Sequence, residues 1–372
     1  MGLEFLYSQP VKIWFGAGKL RALGEILGEL SMHRCVAVCD PFLAEKVKAL
    51  MEEHPSLCAC FSGVEPNPQL SGAEQVAELI RAYRADGVLG IGGGSTMDTA
   101  KFAAAIAFDG GTAEAYFRGE RAFPLEHIPV LTVPTTAGTG SEVTQVSVMS
   151  HGKEKRTINH PAFMPRAALV DPELTFSVPP RTTMNTGLDA LAHALEGYWS
   201  KNHQPISDLM AKQAVRLVLE NLEAAWRDGS NVEARTNMSL AALLGGLSFA
   251  LPKTAGSHAC SYPLSEDYGL PHGEACAFTL DSFVRINADD RLQALCRDAG
   301  LSGTGELAER IADLKKLGGL RTRLPDLGEV DLDKLAHDSA IHPLMNNNPV
   351  PMDEAALRQM FEALRWSRSG VF

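Results

Sequence analysis

The stretch GVLGIGGGSTMDTAK, residues 87–101, joins an apolar strand pattern to a helical pattern through three consecutive glycines. Glycine lets the backbone turn tightly and approach a ligand closely, and the following helix points its first amides at that ligand. A pyrophosphate is the group that such a turn suits. The alternative is a purely structural turn, with Ser95 as a helix cap and Asp98 as a first-turn carboxylate.

The neighbouring segments repeat the alternation of strand and helix. Strand-like runs at 35–42 (CVAVCDPF), 58–64 (CACFSGV) and 128–136 (IPVLTVPTT) are separated by helical runs such as GAEQVAELIRAYRA. Buried strands separated by helices predict a parallel sheet with helices on its faces. The pieces VTQVSVMS and AALVDP, separated by the charged HGKEKR turn, predict a hairpin or an edge extension of that sheet.

After Arg181 the pattern becomes helical. Four segments are rich in Ala, Leu, Glu and Met at helical spacing: 184–200, 205–228, 232–250 and 275–300. Prolines in SVPPR, at 177–181, mark the boundary, because proline ends the sheet before the helices begin. We therefore predict an α/β nucleotide-binding domain at 1–180 and an all-α domain at 181–372.

Composition is that of an ordinary globular protein, with 372 residues, 45% hydrophobic and 21% charged. The net charge of -11 and the pI of about 5.5 argue against a nucleic-acid partner, which needs a positive field. The sequence has neither a leader pattern nor the roughly eighteen-residue apolar run of a membrane span. Seven cysteines without a CxxC pair favour a reduced setting. We expect a soluble cytoplasmic protein.

One acid and three histidines are spaced like the ligands of a single divalent metal. Asp189 and His193 lie four residues apart in a helical stretch, which places both side chains on one face. His258 and His272 follow in KTAGSHACSYP and GLPHGEA. Imidazole with carboxylate suits Fe, Zn or Mn, and four ligands leave a position for a substrate oxygen. The competing interpretation is histidines that are hydrogen-bonded in the core or exposed to solvent.

Two further features predict a nucleotide at the carboxyl edge of the sheet. The loop PTTAGTGSEVT, 134–144, follows a strand and offers hydroxyls and amides. Asp40 ends the strand CVAVCD, where a carboxylate can bond ribose hydroxyls and repel a 2′-phosphate, which favours NAD over NADP. The alternatives are a polar turn without a ligand and an ordinary turn aspartate before Pro41.

These motifs together resemble the iron-containing, or group III, alcohol dehydrogenase family. GGGSTMDTAK, PTTAGTGSEVT, the helix with Asp189 and His193, and the HACSYP and LPHGEA segments carry the resemblance, which runs through nearly the whole chain. It implies a dehydroquinate synthase-like architecture with an NAD-binding domain, a helical metal-binding domain and an active site in the cleft between them. A metal that polarises the substrate carbonyl and a nicotinamide that exchanges hydride are implied with it.

The resemblance also assigns site residues. The metal ligands fall on Asp189, His193, His258 and His272, with Fe(II) expected and Zn or Mn as alternatives. Affinity alone would favour zinc, and iron rests on the family name. The nucleotide contacts fall on Asp40, Asn67, Gly92, Gly93, Gly94, Ser95, Asp98, Thr135, Thr136, Thr139 and Lys155, the last near the nicotinamide ribose.

One position departs from the family's pattern. Many members carry HxxxHP, whose second histidine is thought to move protons, and here that residue is Tyr262. Tyrosine, with an unperturbed pKa of about 10, is a poor relay at neutral pH without help. Tyr262 and Lys155 are nevertheless the candidate catalytic residues.

The SYP variant, with LPKTAGSHA before it and EGYWSKN at 196–202, is similar to the phosphonoacetaldehyde and sulfoacetaldehyde reductase branch. The branch implies reduction of a small anionic aldehyde with NADH. Lys253, Arg156 and Ser257 are candidates to hold the anion, because an oxyanion in a site needs fixed cations or donors.

Three interpretations of function remain open. Besides the anionic aldehyde, a general short-chain alcohol, lactaldehyde or glycerol-type dehydrogenase of the same family fits the motifs. A non-catalytic binding protein on the same scaffold is the remote alternative. The N-terminal run EFLYSQPVKIWFG has edge-strand character and predicts a homodimer.

Overall fold

The computed structural model describes residues 4–365. The chain divides into two compact units. Ser8–Thr136 and Gly140–Thr175 form the α/β unit, while residues 4–7, Ala137–Thr139 and residues 176–365 form the helical unit. A parallel sheet flanked by helices, followed by a helical half, confirms the predicted fold class.

A six-stranded parallel sheet forms the centre of the α/β unit. In spatial order its strands are β1 (Lys12–Phe15), β8 (Ala167–Val170), β5 (Val130–Pro134), β4 (Gly87–Gly92), β2 (Cys35–Cys39) and β3 (Leu57–Phe61). The strands β2, β4 and β5 are buried along their whole length, which explains their continuous apolar sequences. Because the strands are parallel, all their carboxyl ends lie at one edge.

Five helices accompany this sheet. They are α1 (Leu23–Glu29), α2 (Ala44–Glu53), α3 (Leu70–Tyr83), α4 (Gly94–Ile106) and α5 (Ala113–Phe117). Apolar residues of α1 and α2 belong to one hydrophobic cluster, and those of α3, α4 and α5 to another. The helix α4 begins two residues after β4 ends and is buried from Thr96 onward, so the glycine turn sits on a rigid base.

The hairpin has different partners from those expected. The strand β6 (Val146–His151) pairs antiparallel with β7 (Glu154–Asn159), through a turn at Gly152, whose φ is 63°. The charged residues of HGKEKR therefore lie largely on a strand, because β7 is exposed or half-buried along its length and accepts charge. The AALV segment forms β8 instead, in parallel with β1 and β5.

The helical unit is built around one central helix. Its helices are α6 (Pro180–Trp199), α7 (Pro205–Arg227), α8 (Val232–Phe249), α9 (Gly256–Tyr268), α10 (His272–Ile286), α11 (Asp290–Asp298), α12 (Thr304–Leu317), α13 (Leu332–Ile341) and α14 (Glu354–Ala363). The helix α6 packs against α7, α8 and α10 and is buried from Gly187 to Trp199. Within residues 4–365, no helix has the length and apolarity that crossing a membrane requires.

Candidate active site

The predicted metal residues gather in the helical unit. Asp189 and His193 lie one turn apart on the buried face of α6, His258 lies in the first turn of α9, and His272 begins α10. The Asp189 Oδ1 atom lies 3.7 Å from His258 Nε2 and 3.8 Å from His272 Nε2. Asp189 Oδ2 lies 3.9 Å from His193 Nδ1. Three helices therefore direct their polar groups at one carboxylate.

Two atoms of this cluster indicate that a metal fits it. Asp189 Oδ1 and His258 Nε2 are buried and have no hydrogen-bond partner within the described chain, although buried polar atoms are normally paired. Two donors can share an ion only if their separation is below the sum of the metal–oxygen and metal–nitrogen bonds, about 4.1 Å. The distance between these two atoms, 3.7 Å, satisfies that condition.

Outer contacts orient the imidazoles. Glu196, one helical turn after His193, is fully buried and hydrogen-bonds to Nδ1 of His258 through Oε2. Its Oε1 accepts from the backbone amide of Ser257 at 2.6 Å. Nδ1 of His193 lies 3.2 Å from the Gly138 carbonyl oxygen, which can only accept. Both Nδ1 atoms therefore carry hydrogen, so Nε2 is the nitrogen that each imidazole, once neutral, can offer to a metal, which is the usual arrangement around ligating histidines.

The members of the cluster differ in the direction of their pKa shifts. Burial acts to raise the pKa of Asp189, but the three neighbouring imidazoles hold it below its usual value, so this carboxylate is ionised. Burial lowers the pKa of His193 to about 4. Burial also disfavours a charged His258, but Cys276 and Glu196 raise the pKa of His258 well above its usual range. A metal that binds Nε2 of His258 would therefore displace a proton.

Cys276 and Glu196 belong to the site and were missed from the sequence. Cys276 lies one turn after His272 on α10, and its Sγ is 3.8 Å from His272 Nε2. In the part of the chain that the structure describes, a cluster able to hold a metal comprises Asp189, His258, His272 and Cys276, with donor atoms within 4.8 Å of one another. The available signal was the spacing of four between His272 and Cys276, the same as between Asp189 and His193.

Tyr262 has a neighbour that the sequence did not reveal. The Tyr262 ring, one turn after His258 on α9, stacks on His342 with centroids 4.2 Å apart and planes at 27°. His342 follows α13, and its Nδ1 accepts from the Leu344 amide at 3.3 Å. Burial, with a contribution from His258, lowers the pKa of His342 to about 4. A neutral imidazole therefore lies against the tyrosine at neutral pH.

The three candidates for anion binding lie in two places. Lys253, with a left-handed φ of 68°, and Ser257 both lie just before His258. Lys253 Nζ donates to the Ala250 carbonyl at 2.8 Å, and burial lowers its pKa. Ser257 Oγ is buried and has no partner within residues 4–365. Arg156 lies on β7, where it donates to the Phe117 carbonyl and pairs with Glu154.

In the α/β unit, Asp40 and the glycine turn come together. Asp40 Oδ1 accepts from the Thr96 hydroxyl at 2.6 Å, and Oδ2 accepts from the Gly93 amide at 3.2 Å. A Cβ atom at Gly92 would lie 2.5 Å from Thr96 Oγ1 and 2.6 Å from Asp40 Oδ2, so this position requires glycine. Burial raises the pKa of Asp40. The carboxylate thus fixes the turn as well as standing at the end of β2.

Asp98 is committed to contacts within the protein. Its Oδ1 accepts from the Ser141 hydroxyl at 2.6 Å and lies 3.0 Å from the fully buried Lys101 ammonium. Its Oδ2 accepts from the Val148 amide at 2.9 Å. Asp98 and Lys101 therefore join α4 to the 134–144 loop and to β6. A nucleotide contact of Asp98 stays a prediction.

The remaining nucleotide candidates form two groups. The Thr135 amide donates to the Gly92 carbonyl at 3.0 Å, which holds the threonine loop beside the glycine turn. Lys155 Nζ donates to Asn67 Oδ1 at 3.1 Å, so these two residues, distant in sequence, are adjacent. Thr139 is grouped with the helical unit. Contacts of all these residues with a nucleotide stay predictions.

Comparison with known sequence families assigns both halves of the chain. Residues 10–172 match the family described as iron-containing alcohol dehydrogenase. Residues 183–365 match the C-terminal part of the Fe-containing alcohol dehydrogenase family. The chain is 33% identical to long-chain-alcohol dehydrogenase 1 of Geobacillus thermodenitrificans, over 94% of this chain and 93% of the relative. It is 30% identical to sulfoacetaldehyde reductase of Bilophila wadsworthia, over 97% of this chain and 99% of the relative.

Solved structures show the same fold. The crystal structure of sulfoacetaldehyde reductase from Bifidobacterium kashiwanohense in complex with NAD+ superposes with a TM-score of 0.93 and 41% identity, covering 98% of this chain and 99% of that one. A 1,3-propanediol oxidoreductase structure superposes with a TM-score of 0.86 and 30% identity, covering 96% and 99%.

Proposed function

The chain belongs to the iron-containing alcohol dehydrogenase family, and on that premise we propose that it reduces a small anionic aldehyde to its alcohol with NADH. The reaction class, an NAD-linked alcohol dehydrogenase, follows from the family and its relatives. The observation that supports a metal-dependent reaction is a pair of buried atoms without hydrogen-bond partners in the described chain. These atoms are Asp189 Oδ1 and His258 Nε2, and they lie in a cluster of imidazoles. The similarity to sulfoacetaldehyde reductases, at 41% identity over 98% of the chain, supports the substrate class.

Some residues of this chain are proposed to bind the metal, and others to orient those ligands. We propose that Asp189, His193, His258 and His272 hold the metal, which supplies Lewis acidity at the substrate oxygen when bound, while the nicotinamide supplies hydride. Glu196 and the Gly138 carbonyl hold two of the imidazoles in the tautomer that ligation needs. Iron(II) is the family's metal; zinc and manganese suit the same donors.

In the α/β unit, the nucleotide is proposed to bind along the glycine turn. Gly92, Gly93, Gly94 and Ser95 present backbone to the pyrophosphate at the start of α4. Asp40, which already anchors Gly93, would select NADH by meeting the adenosine ribose. Asp98 is assigned to positioning the loop, because its oxygens serve Ser141 and Val148.

Aldehyde reduction adds one hydride to the carbon and one proton to the oxygen. We assign the proton to Tyr262, with His342 as its positioning partner. The stacked His342 ring is neutral near pH 7, so it orients the tyrosine ring and does not supply the proton, and the half-buried Tyr262 regains its proton from solvent. Lys155, paired with Asn67 Oδ1, is kept as a candidate near the nicotinamide ribose.

Recognition of the anion is assigned to the segment before His258. Ser257 Oγ is buried without a partner in the described chain, and the Lys253 cation lies four residues earlier. A hydroxyl donor and a cation are the groups that a sulfonate or phosphonate requires. Arg156 is the weaker candidate, because Glu154 and the Phe117 carbonyl already bind its guanidinium.

A second function is favoured by other relatives. Similarity to a long-chain-alcohol dehydrogenase and to a 1,3-propanediol oxidoreductase supports a general alcohol dehydrogenase acting on neutral substrates. In that case the polar groups before His258 would hold the backbone rather than the substrate.

One assay separates these two functions. The metal-reconstituted protein is tested for NADH oxidation with sulfoacetaldehyde, phosphonoacetaldehyde, propanal and lactaldehyde, and the series is repeated with Lys253→Met. The proposal expects kcat/KM to favour an anionic aldehyde over propanal, and Lys253→Met to lower only the anionic values, by about 10-fold or more for a lost charged hydrogen bond. Equal kcat/KM for propanal and the anionic aldehydes would support the general dehydrogenase instead.

We also propose that the protein acts in the cytoplasm as a homodimer. The strand β1 is an edge strand with β8 as its partner, which leaves an edge able to pair across a two-fold axis. Light scattering coupled to size exclusion tests the assembly, and the mass of one chain, 40.0 kDa, would contradict it.

A further inference from the structure

We propose that Cys39 and Cys60 form a reversible disulfide when the protein meets a disulfide oxidant of low molecular mass, and that this bond weakens nucleotide binding at Asp40. The two cysteines lie on neighbouring strands of the α/β unit, β2 and β3. The effect on the nucleotide rests on the proposed function, because it assumes that Asp40 meets the adenosine ribose. Formation of the disulfide does not depend on that assumption.

The two sulfur atoms face each other between adjacent strands. Cys60 lies opposite Ala37 in the register of β2 and β3. Cys39 follows Ala37 by two residues, so these three side chains lie on one face of the sheet, in the same apolar cluster. The Sγ atoms of Cys39 and Cys60 are 3.8 Å apart and form a hydrogen bond. Both residues are free thiols, so the two reacting atoms are already in contact in the reduced protein.

The two thiols differ in accessibility and acidity, as an attacking and a resolving cysteine should. Cys60 is half-buried on the edge strand β3, whereas Cys39 is fully buried on β2. The hydrogen bond with Cys39 lowers the pKa of Cys60, although burial acts in the opposite direction. The same hydrogen bond raises the pKa of Cys39, and burial adds to the rise. Cys60 is therefore the thiolate that meets the oxidant first.

The oxidation consists of two displacements at sulfur. The Cys60 thiolate attacks one sulfur of the oxidant, which forms a mixed disulfide and releases half of the oxidant as a thiol. Cys39 then attacks Sγ of Cys60, which forms the bond between the two cysteines and releases the other half as a thiol. Two protein thiols are oxidised, one molecule of disulfide is reduced, and the protons of both cysteines end on the two released thiols.

Formation of this bond displaces the end of β2. A disulfide bond is about 2.05 Å long, so the two sulfurs must approach by about 1.8 Å from their separation of 3.8 Å. Because Cys60 lies diagonally across from Cys39, side-chain rotation supplies only part of this movement and the backbone supplies the rest. Asp40 follows Cys39 directly, and its Oδ2 accepts from the Gly93 amide at 3.2 Å. A shift of about 0.5 Å at Asp40 would lengthen that contact beyond hydrogen-bond range, which loosens the glycine turn.

The alternative is that the cysteines of β2 and β3 only fill space in the sheet. Cys35 and Cys58 fit that description, because the Cys58 thiol donates to the Cys35 carbonyl at 3.3 Å. Ala37, on the same face as Cys39, shows that a small side chain without sulfur is sufficient for packing there. Packing alone does not require the contact between the sulfurs of Cys39 and Cys60.

The test measures the disulfide and NADH binding separately, in the full-length, metal-loaded protein treated with oxidised glutathione. Wild type should lose two of its seven thiols and yield a linked Cys39–Cys60 peptide in non-reducing mass spectrometry. Its Kd for NADH in a fluorescence titration should rise by at least about 10-fold, and dithiothreitol should reverse all three changes. Cys60→Ser should show none of them. The matched control Cys58→Ser removes a half-buried thiol two residues earlier on β3 and should respond like wild type.

Each other outcome decides against the proposal. A mixed disulfide at Cys60 that never resolves to the linked peptide overturns the pairing with Cys39. A linked peptide with an unchanged Kd for NADH overturns the coupling to Asp40 and leaves the proposed function intact. Failure of the reduced wild type to bind NADH overturns the proposed nucleotide site together with the coupling. Weaker NADH binding by oxidised Cys60→Ser would assign the effect to another thiol, and the wild-type data alone decide the matter if that variant does not fold.

Discussion

Replacing Glu196 by glutamine should weaken metal binding by about 10- to 100-fold, the range for residues that orient a ligating histidine. Glu196 is fully buried, and its two oxygens accept from the amide of Ser257 and from Nδ1 of His258. Glutamine has the same shape but only one acceptor oxygen. Its amino group must therefore face either the Ser257 amide or Nδ1 of His258.

Both orientations disturb the site. If the amino group faces His258, Nδ1 becomes the acceptor and the proton moves to Nε2, which then has no lone pair for a metal. If it faces the Ser257 amide, two donors oppose each other at the start of α9. The loss of a hydrogen bond to a charged group costs about 1.5–3 kcal/mol, which corresponds to about 12- to 150-fold and overlaps that range.

The assay is a zinc competition titration with a chromophoric chelator, alongside circular dichroism to confirm folding. Asp281→Asn is the control, because Asp281 is paired with the buried Lys315 on other parts of α10 and α12 and should affect stability without affecting the metal Kd. A zinc Kd for folded Glu196→Gln within about twofold of wild type would refute the argument that this carboxylate sets the tautomer of His258.

Three further changes test other parts of the chain. Asp40→Ala should lower kcat/KM for NADH, because it removes an anchor of the glycine turn. It should also raise the use of NADPH relative to NADH by about 10-fold, because it removes a charge that repels a 2′-phosphate. Unchanged cofactor preference in steady-state kinetics would contradict this. Lys101→Met should destabilise the fold by about 3–5 kcal/mol in urea denaturation, because it leaves the buried Asp98 without its cation, and a loss below about 1 kcal/mol would contradict that role. Tyr262→Phe should lower kcat by about 100-fold with little change in KM for the aldehyde, because it removes the proton donor. His342→Gln should lower kcat less and leave its pH profile above pH 6 unchanged, because His342 is already neutral there; equal kcat in Tyr262→Phe and wild type would exclude the tyrosine as proton donor.

Much of the α/β unit was accessible from local sequence. The strands β2, β4 and β5 carry continuous apolar runs because both faces of the sheet are covered, and the glycines after β4 mark the turn into α4. The hairpin was harder, because alternating charge on an exposed strand looks like a turn. Only strand pairing shows that β7, and not β8, is the partner of β6.

The metal residues show most clearly what local sequence can and cannot predict. Spacing of four along a helix was enough to pair Asp189 with His193, since residues one turn apart share a face by the geometry of the helix itself. The same rule would have paired His272 with Cys276, but a cysteine beside an apolar helix face is ordinarily core. Nothing local identifies Glu196 as the partner of His258, or His342 as the partner of Tyr262, because both pairs join separate elements.

The sequence by itself determined the fold class, the glycine turn and the chemical type of the donors, because these depend on periodicity, backbone freedom and side-chain chemistry within a few residues. Tertiary structure alone decided which donors face one another, which tautomer each histidine adopts and which oxygens of Asp98 are already occupied. Those properties arise where chain segments far apart in sequence exclude water together, and desolvation then makes every buried polar atom dependent on its particular partner.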